Sequence, residues 1–279
     1  MTKKPELIFF GNGPLADFSK KILESSFNII FHARTKSELE TVKSLKKSHP
    51  SAFGVLASFG VLIKSDILDL FEPEGILNIH PSLLPLYRGA SPIESAILNG
   101  DTSFSVSVMK LVPAMDAGPI YFQKTFFSLP LDKSAIYEAL ATSGASWICK
   151  NLSSLLAFRS SPSSPSIFFP DYHLQDDKNA TFTSKFDKSM SFLTPETDSS
   201  EKTLRKIVAF QGFPKPKYKF FEQEVIILSA HIEKNCSTPP ELALKCADGN
   251  FVVVDYLQPL SRKPMDQKSF LNGLKNRQA

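Results

Sequence analysis

Over the first half of the chain, short apolar runs alternate with longer amphipathic stretches. Residues 7–10 (Leu-Ile-Phe-Phe) form an apolar run that ends in Gly11-Asn12-Gly13-Pro14, a turn signal. Residues 16–23 follow with helical spacing, 28–32 read as a second strand, and 37–47 as a charged helix. Two more apolar strands, 54–59 and 75–79, are separated by the amphipathic stretch 63–70. Residues 92–98 predict a helix, 105–111 a strand with β-branched spacing, and 134–156 a long helix. This alternation predicts an α/β fold, an open and mostly parallel sheet covered by helices. Ligands of such sheets sit beyond the carboxyl ends of the strands.

The texture changes after residue 158. Arg159-Ser-Ser-Pro-Ser-Ser-Pro-Ser166 is rich in serine and proline and carries no apolar period, so it reads as a linker or extended surface tract. A helix is predicted over 200–210. Short strands follow at 218–221, 225–231, 243–245 and 251–257, with turn signals at Pro239-Pro240 and Asp248-Gly249-Asn250, and 269–274 closes as a helical turn. Short strands at this spacing suggest a small β-barrel. The expected division is a first domain over 1–157, a linker over 158–179 and a second domain over 180–279.

Composition narrows the class. Of the 279 residues, 42% are hydrophobic and 22% charged, ordinary usage for a folded chain. No apolar run approaches the roughly 18–20 residues of a membrane helix, and 7–10 is too short for a signal-peptide core. The three cysteines (Cys149, Cys236, Cys246) are widely spaced and show no Cys-x-x-Cys pattern, so neither a disulfide framework nor a zinc site is expected and a reducing compartment is the default. The net charge of +4 is uneven, with +1 over residues 1–157 and +3 over 158–279.

Chemistry concentrates in Leu77-Asn-Ile-His-Pro-Ser-Leu-Leu-Pro-Leu-Tyr-Arg-Gly-Ala-Ser-Pro-Ile93. Asn78 and His80 stand at i and i+2 near the end of a predicted strand, so both side chains point to one face. An amide donor beside an imidazole suits acyl transfer: the amide stabilises an oxyanion and the imidazole moves protons near neutral pH. The same spacing also describes a hydrogen-bonded turn with a structural histidine. Asp116, in Met115-Asp116-Ala117-Gly118-Pro119, suits a tight turn and also offers a carboxylate to orient an imidazole or a water. His32, His49, His173 and His231 have no partners at site spacing, and Trp147 falls on the long helix as a core residue.

Asn78-x-His80 followed by Pro81-Ser82-Leu83-Leu84-Pro85, with Asp116-x-Gly118 downstream, resembles the folate-dependent formyltransferases. Tyr87-Arg88-Gly89-Ala90-Ser91-Pro92-Ile93 and Ala57-Ser58-Phe59-Gly60-Val61-Leu62-Ile63 are similar to the methionyl-tRNA formyltransferase branch. So are Leu204-Arg-Lys-Ile-Val-Ala-Phe-Gln-Gly-Phe-Pro214 and Leu257-Gln-Pro-Leu-Ser-Arg-Lys-Pro-Met265, beyond the linker. The resemblance implies a Rossmann-like catalytic domain and a C-terminal barrel of OB type. It implies formyl transfer from 10-formyltetrahydrofolate to the α-amine of methionyl-initiator tRNA, with Asn78, His80 and Asp116 catalytic and no metal. Ser82, Leu83, Leu84 and Pro85 match the family's folate-contacting stretch. Arg88 would contact an anion or brace its loop.

The basic segment 202–219 carries Lys202, Arg205, Lys206, Lys215, Lys217 and Lys219 with no acidic residue, and aromatic residues interleave. It reads as a solvated helix face and turn, or as phosphate contacts along the tRNA acceptor arm; the resemblance favours the tRNA. A monomer without membrane contact is expected, in the mitochondrial matrix of a eukaryote or the cytoplasm of a bacterium. Two departures from the family stand out. The path from His32 to Phe53 lacks one strand and most of a loop that meets tRNA, and Gly11-Asn12-Gly13-Pro14 replaces the usual Gly-Thr-Pro. A sugar-nucleotide N-formyltransferase shares the Asn-x-His and Asp core and is the alternative enzyme; a catalytically silent tRNA- or folate-binding relative is the alternative of another class.

Overall fold

The computed structural model describes residues 4–127, 130–158, 172–234, 240–260 and 262–278. The Ser/Pro-rich tract 159–166 and Cys236 lie outside the described residues. Strands β1 (Glu6–Gly11), β2 (Asn28–Ala33), β3 (Phe53–Ala57), β4 (Ile76–His80), β5 (Arg88–Gly89), β6 (Ser103–Lys110), β7 (Ile120–Phe127) and β8 (Phe182–Thr183) belong to the first part of the fold. Its helices are α1 (Pro14–Ser26), α2 (Leu39–Ser48), α3 (Ser65–Leu68), α4 (Pro92–Asn99) and α5 (Lys133–Phe158). The remainder holds α6 (Ser200–Ala209), β9 (Lys217–Phe220), β10 (Gln223–Glu233), β11 (Ala243–Lys245), β12 (Phe251–Pro259), β13 (Met265–Asp266) and α7 (Gln267–Gln278).

The chain divides into two compact units, Met1–Pro92 with Thr102–Ser184 and Ile93–Asp101 with Lys185–Ala279. Most of α4 thus groups with the second unit, and residues 172–184 with the first.

The first unit is a Rossmann-like α/β layer built on a six-stranded sheet of order β2-β1-β3-β4-β6-β7. The first four strands are parallel, β6 is antiparallel to β4, and β7, antiparallel to β6, points the same way as the first four. β3 and β4 are buried along their whole length; β3 is a continuous apolar run, as in a sheet covered on both faces, and β4 buries Asn78 and His80 as well. On one face, Ile8, Phe10, Leu56 and Ile76 pack with Leu39 and Val42 of α2 and Ile67 and Leu68 of α3. α1 opens with Pro14 at its first position, where no backbone hydrogen bond is lost, and buries Leu15, Ala16, Ser19 and Leu23 on one stripe. On α5, Gly144 lies so close to the sheet that a Cβ there would stand 2.7 Å from Cγ2 of Ile79. Trp147 on the same helix stacks on Phe122, with ring centroids 5.6 Å apart.

Three features were not expected from the pattern. The strand over 103–110 is antiparallel to β4, and β7, which closes the sheet edge, has no alternating signature. The predicted helix over 63–70 shortens to α3 and a 3-10 turn over Asp69–Phe71.

In the second unit, β11-β12-β10-β9 form an antiparallel sheet with β13 on β12. The register of β10 against β12 shifts between Ile227 and Ala230, and irregularities of this kind bend a strand and increase its twist. Ile207 of α6 and Phe270 of α7 pack with Val225, Ile227, Val252, Val254 and Leu257 of the sheet. The Ser199 hydroxyl caps α6 by accepting from the Lys202 N–H. No helix among the described residues is long and apolar enough to cross a membrane.

Candidate active site

β4 ends on Asn78-Ile79-His80, and strand alternation aims Asn78 and His80 to the same side while Ile79 enters the core. Both polar side chains are buried at 4% exposure, so each needs a partner. His80 Nε2 lies 3.1 Å from the carbonyl oxygen of Tyr87. A carbonyl only accepts, so the neutral ring carries its proton on Nε2 and leaves a lone pair on Nδ1. That Nδ1 faces Asp116 Oδ2 at 3.7 Å. Protonation at Nδ1 would therefore place an imidazolium beside a carboxylate while keeping the Tyr87 bond.

Asp116 reaches this position from the loop between β6 and β7. The loop is pinched at its neck, where the Lys110 N–H donates to the Pro119 oxygen at 3.0 Å. Asp116 itself has φ 47°, in the left-handed region that a non-glycine residue seldom adopts. Its carboxylate accepts from Asn78 Nδ2 at 3.3 Å and from the Gly89 N–H at 2.8 Å. The three residues marked by the sequence are thus gathered at the carboxyl end of a parallel strand.

The loop between His80 and β5 is held from beneath by a polar cluster. The Ser107 hydroxyl donates to the Ser82 oxygen at 2.6 Å and accepts from the Leu84 N–H at 3.2 Å. Gln123 Nε2, on β7, donates to the Leu84 oxygen and to the Ser107 hydroxyl, each at 2.9 Å. Ser82 is buried and donates to the Leu86 oxygen, while Leu84 packs against Met109 and Ile120. Pro85 is half-buried. Leu83 and Leu86 are 40% and 38% exposed. In the stretch matching the folate-contacting residues, Ser82 and Leu84 therefore anchor the loop, and Leu83 offers apolar surface.

Arg88 is a brace. It is 3% exposed and donates through Nε and Nη2 to Gln175 Oε1 at 3.1 and 2.8 Å, and through Nη2 to Asp177 Oδ1 at 2.8 Å. Both partners lie on the segment 172–184, which runs back over the loops that carry Tyr87 and Asp116. Thr181 Oγ1 accepts from the Tyr87 N–H at 2.7 Å, and β8 pairs with β5. Sequence reading missed Gln175, Thr181 and Gln123 because none sits in an apolar period or a recognisable motif.

Residues 11–152 match the family model described as Formyl transferase, and that span contains Asn78, His80 and Asp116. The chain belongs to the formyl transferase family. Among curated relatives, the methionyl-tRNA formyltransferase of Wolbachia pipientis subsp. Culex pipiens (strain wPip) is 32% identical over 259 residues, covering 86% of this chain and 80% of the relative. That of Borrelia hermsii (strain HS1 / DAH) is 32% identical over 248 residues, covering 84% and 75%. Among solved structures, HypX from Aquifex aeolicus in complex with tetrahydrofolic acid superposes with a TM-score of 0.71 at 18% identity. It covers 97% of this chain, which spans only 47% of the HypX chain. WlaRD, a sugar 3N-formyl transferase, gives 0.61 at 18% identity, covering 94% of this chain and all of its own. At such identities the structures establish the shared fold.

In this formyl transferase the basic segment of the second unit is largely engaged by carboxylates. Lys202 reaches Asp198 at 2.6 Å, and Lys206 binds the same residue. Burial pushes the Asp198 carboxyl up, but the hydrogen bonds of Lys202, Lys206 and Thr194 outweigh it and hold it below the ordinary carboxylate range. Lys217 pairs with Glu224 at 2.6 Å, and Lys219 with Glu222. Arg205 lies against Gly100, where a Cβ would stand 2.1 Å from Nη1, and its Nε is buried without a hydrogen-bond partner. Lys215, at φ 76° in the turn before β9, has no ion pair among the described residues.

Proposed function

We propose that the chain transfers the formyl group of 10-formyltetrahydrofolate to the α-amine of methionine esterified to initiator tRNA. The observation that carries this reading is the convergence of Asn78, His80 and Asp116 within hydrogen-bond or ion-pair reach at the carboxyl end of β4. The bound folate supplies the formyl carbon. A free α-amine titrates near ~7.7–8.0, so a substantial neutral fraction exists at pH 7 and the residues need only modest basicity. Asn78 carries one amide hydrogen on Asp116 and presents the other to the formyl oxygen as negative charge develops; losing such a donor costs about 100–1000-fold in rate. Asp116 takes the proton released by the attacking amine and passes it to the Nδ1 lone pair of His80, which gives it to the departing folate nitrogen. A C–N bond to the amine forms, the C–N10 bond breaks, and one proton passes from the first nitrogen to the second.

Leu83 and Leu86 supply the apolar rim for the folate ring system, and the backbone of the loop after Phe59 reads its polar edge. The second unit's antiparallel sheet is assigned an OB-type barrel role, with Lys215 and Arg205 the strongest candidates for tRNA phosphates. Lys202, Lys206, Lys217 and Lys219 would have to exchange a carboxylate for a phosphate. Those pairings favour one second reading, transfer to an amino-sugar nucleotide. A monomer is proposed for either reaction. Formylated initiation would place the enzyme in the mitochondrial matrix of a eukaryote or the cytoplasm of a bacterium.

The test is formyl transfer from 10-formyltetrahydrofolate to methionyl-initiator tRNA, with amino-sugar nucleotides in parallel. Formylated methionyl-tRNA supports the first reading; transfer to the sugar amine alone replaces it with the second; folate binding without turnover leaves a silent binder. His80→Ala should abolish turnover and leave tRNA affinity within about twofold. Near-wild-type turnover in that variant refutes the mechanism.

A further inference from the structure

Gln175 closes a gap that Asn78, His80 and Asp116 do not close themselves. Asp116 is held in the left-handed region, a strained conformation that a non-glycine residue keeps only where its surroundings impose it. Its carboxylate bonds fix the far end of the side chain, not the backbone. Within the loop the backbone is held by the bond from Lys110 N–H to the Pro119 oxygen and by a long turn bond from Ala117 N–H to the Ala114 oxygen at 3.4 Å, and a further hold comes from the segment 172–184. Gln175 Nε2 donates to the backbone oxygens of Asp116 and Gly118, both at 2.8 Å, and so ties those two carbonyls to one amide. The Arg88 guanidinium takes Oε1 at the other side. This dictates the amide's orientation, because a flipped amide would face nitrogen to guanidinium and oxygen to two carbonyls. The residue before it is 75% exposed, whereas Gln175 turns inward.

We propose that Gln175 is a positioning residue, which aims the Asp116 carboxylate at His80 and Asn78 by clamping the backbone of the 112–118 loop. The proposal rests on the reading that Asp116 serves formyl transfer. It predicts that the clamp acts on the chemical step and not on substrate affinity, since Gln175 reaches the loop through its main chain.

Three variants separate this from a merely structural role. Gln175→Met keeps length and loses both donor and acceptor. Gln175→Glu keeps the acceptor for Arg88 but sets an oxygen against the two carbonyls. Asp177→Ala removes the other anchor of Arg88 on the same segment and leaves Gln175 alone. With the amine substrate that wild type formylates, both Gln175 variants should lose about 10–100-fold in kcat, as misplacement by about 1 Å does, with KM for folate and amine within about twofold. Asp177→Ala should lower the melting temperature with kcat within about twofold of wild type. If Gln175→Met fails to fold, Gln175→Glu, with its Arg88 pair intact, carries the comparison. Wild-type kcat in a folded Gln175 variant, or equal loss of kcat in Asp177→Ala, overturns the positioning role. Asp116→Ala reports on the underlying reading: full turnover there removes the catalytic role of Asp116 and this proposal with it. An inactive Asp116→Ala beside a fully active Gln175→Met removes the positioning role alone. Absence of turnover with every amine removes both.

Discussion

Replacing Gly118 by alanine tests how tightly the 112–118 loop sets the site. A Cβ on Gly118 would lie 1.8 Å from the Lys110 oxygen, 3.0 Å from its carbonyl carbon and 3.3 Å from Cγ1 of Val112. Ordinary contact begins near 3.4 Å, so the deficit against the Lys110 oxygen is about 1.6 Å. The obstacle is backbone, and Lys110 is fixed by its register opposite Leu77 on β4, so the loop has to give way. Gly118 does not have a positive φ, and the effect is therefore one of space rather than of backbone conformation. Two residues away, the Asp116 carboxylate is 2.8 Å from the Gly89 N–H and 3.7 Å from His80 Nδ1. A shift of even about 1 Å carries the first contact out of hydrogen-bond range. Gly118→Ala should then lose about 100-fold in kcat and about 1–3 kcal/mol in stability, as overpacking usually costs. Steady-state formyl transfer and denaturant unfolding measure the two effects on one preparation. Wild-type kcat in a variant destabilised as expected would show that the loop relaxes without moving Asp116, and would refute the reasoning.

Two further outcomes concern the second unit. The Asp248 carboxyl is held down to about 2 by the Ser200 hydroxyl and N–H and by the Asn250 amide. A group depressed below its ordinary 3.8 stabilises the fold above that value and ceases to do so as pH falls through the folded value. Asp248→Ala should lower the denaturation midpoint at pH 7, and the difference from wild type should close between about pH 4 and 2; a constant difference would contradict the assignment. If tRNA is the substrate, Lys215→Ala should weaken binding and reduce the slope of log affinity against log salt by about 1. Lys202→Ala, whose cation already sits on Asp198, should change the slope less, and an unaltered slope for Lys215→Ala removes it from the interface.

The residues that were legible in the sequence are those whose chemistry and periodicity coincide. Asn78 and His80 announce themselves because a two-residue period places two polar side chains on one face of an otherwise apolar strand, and the burial of β3 follows from its uninterrupted apolar run. β7 was not legible for a physical reason. It is an edge strand whose inward Gln123 bonds the 82–84 loop, so a polar residue stands where a strand pattern would want an apolar one. Gln175 lies among exposed residues with no period at all, and its importance comes from atoms on Asp116 and Gly118 that are far away in sequence. Arg88 shows the same limit. Its residue type allowed an anion site or a brace, and only the positions of Gln175 and Asp177 decide for the brace. The basic segment, read from composition as free positive charge, turned out to be largely paired, because its counter-charges Asp198, Glu222 and Glu224 lie just before or just after the lysines.

The return of residues 172–184 to the first unit has a temporal consequence during synthesis. Gln175 follows Gly118 by 57 positions, and the ribosome adds about 5–20 residues per second. If Gln175 is the clamp proposed above, then for roughly 3–11 seconds after Gly118 has left the peptidyl-transferase centre the nascent sheet carries the Asp116 loop without it. A nascent fragment ending at α5 would on that reading hold Asn78, His80 and Asp116 but not the residue that aims them, so a folded sheet and a working site would be separated in time by the translation of one short segment.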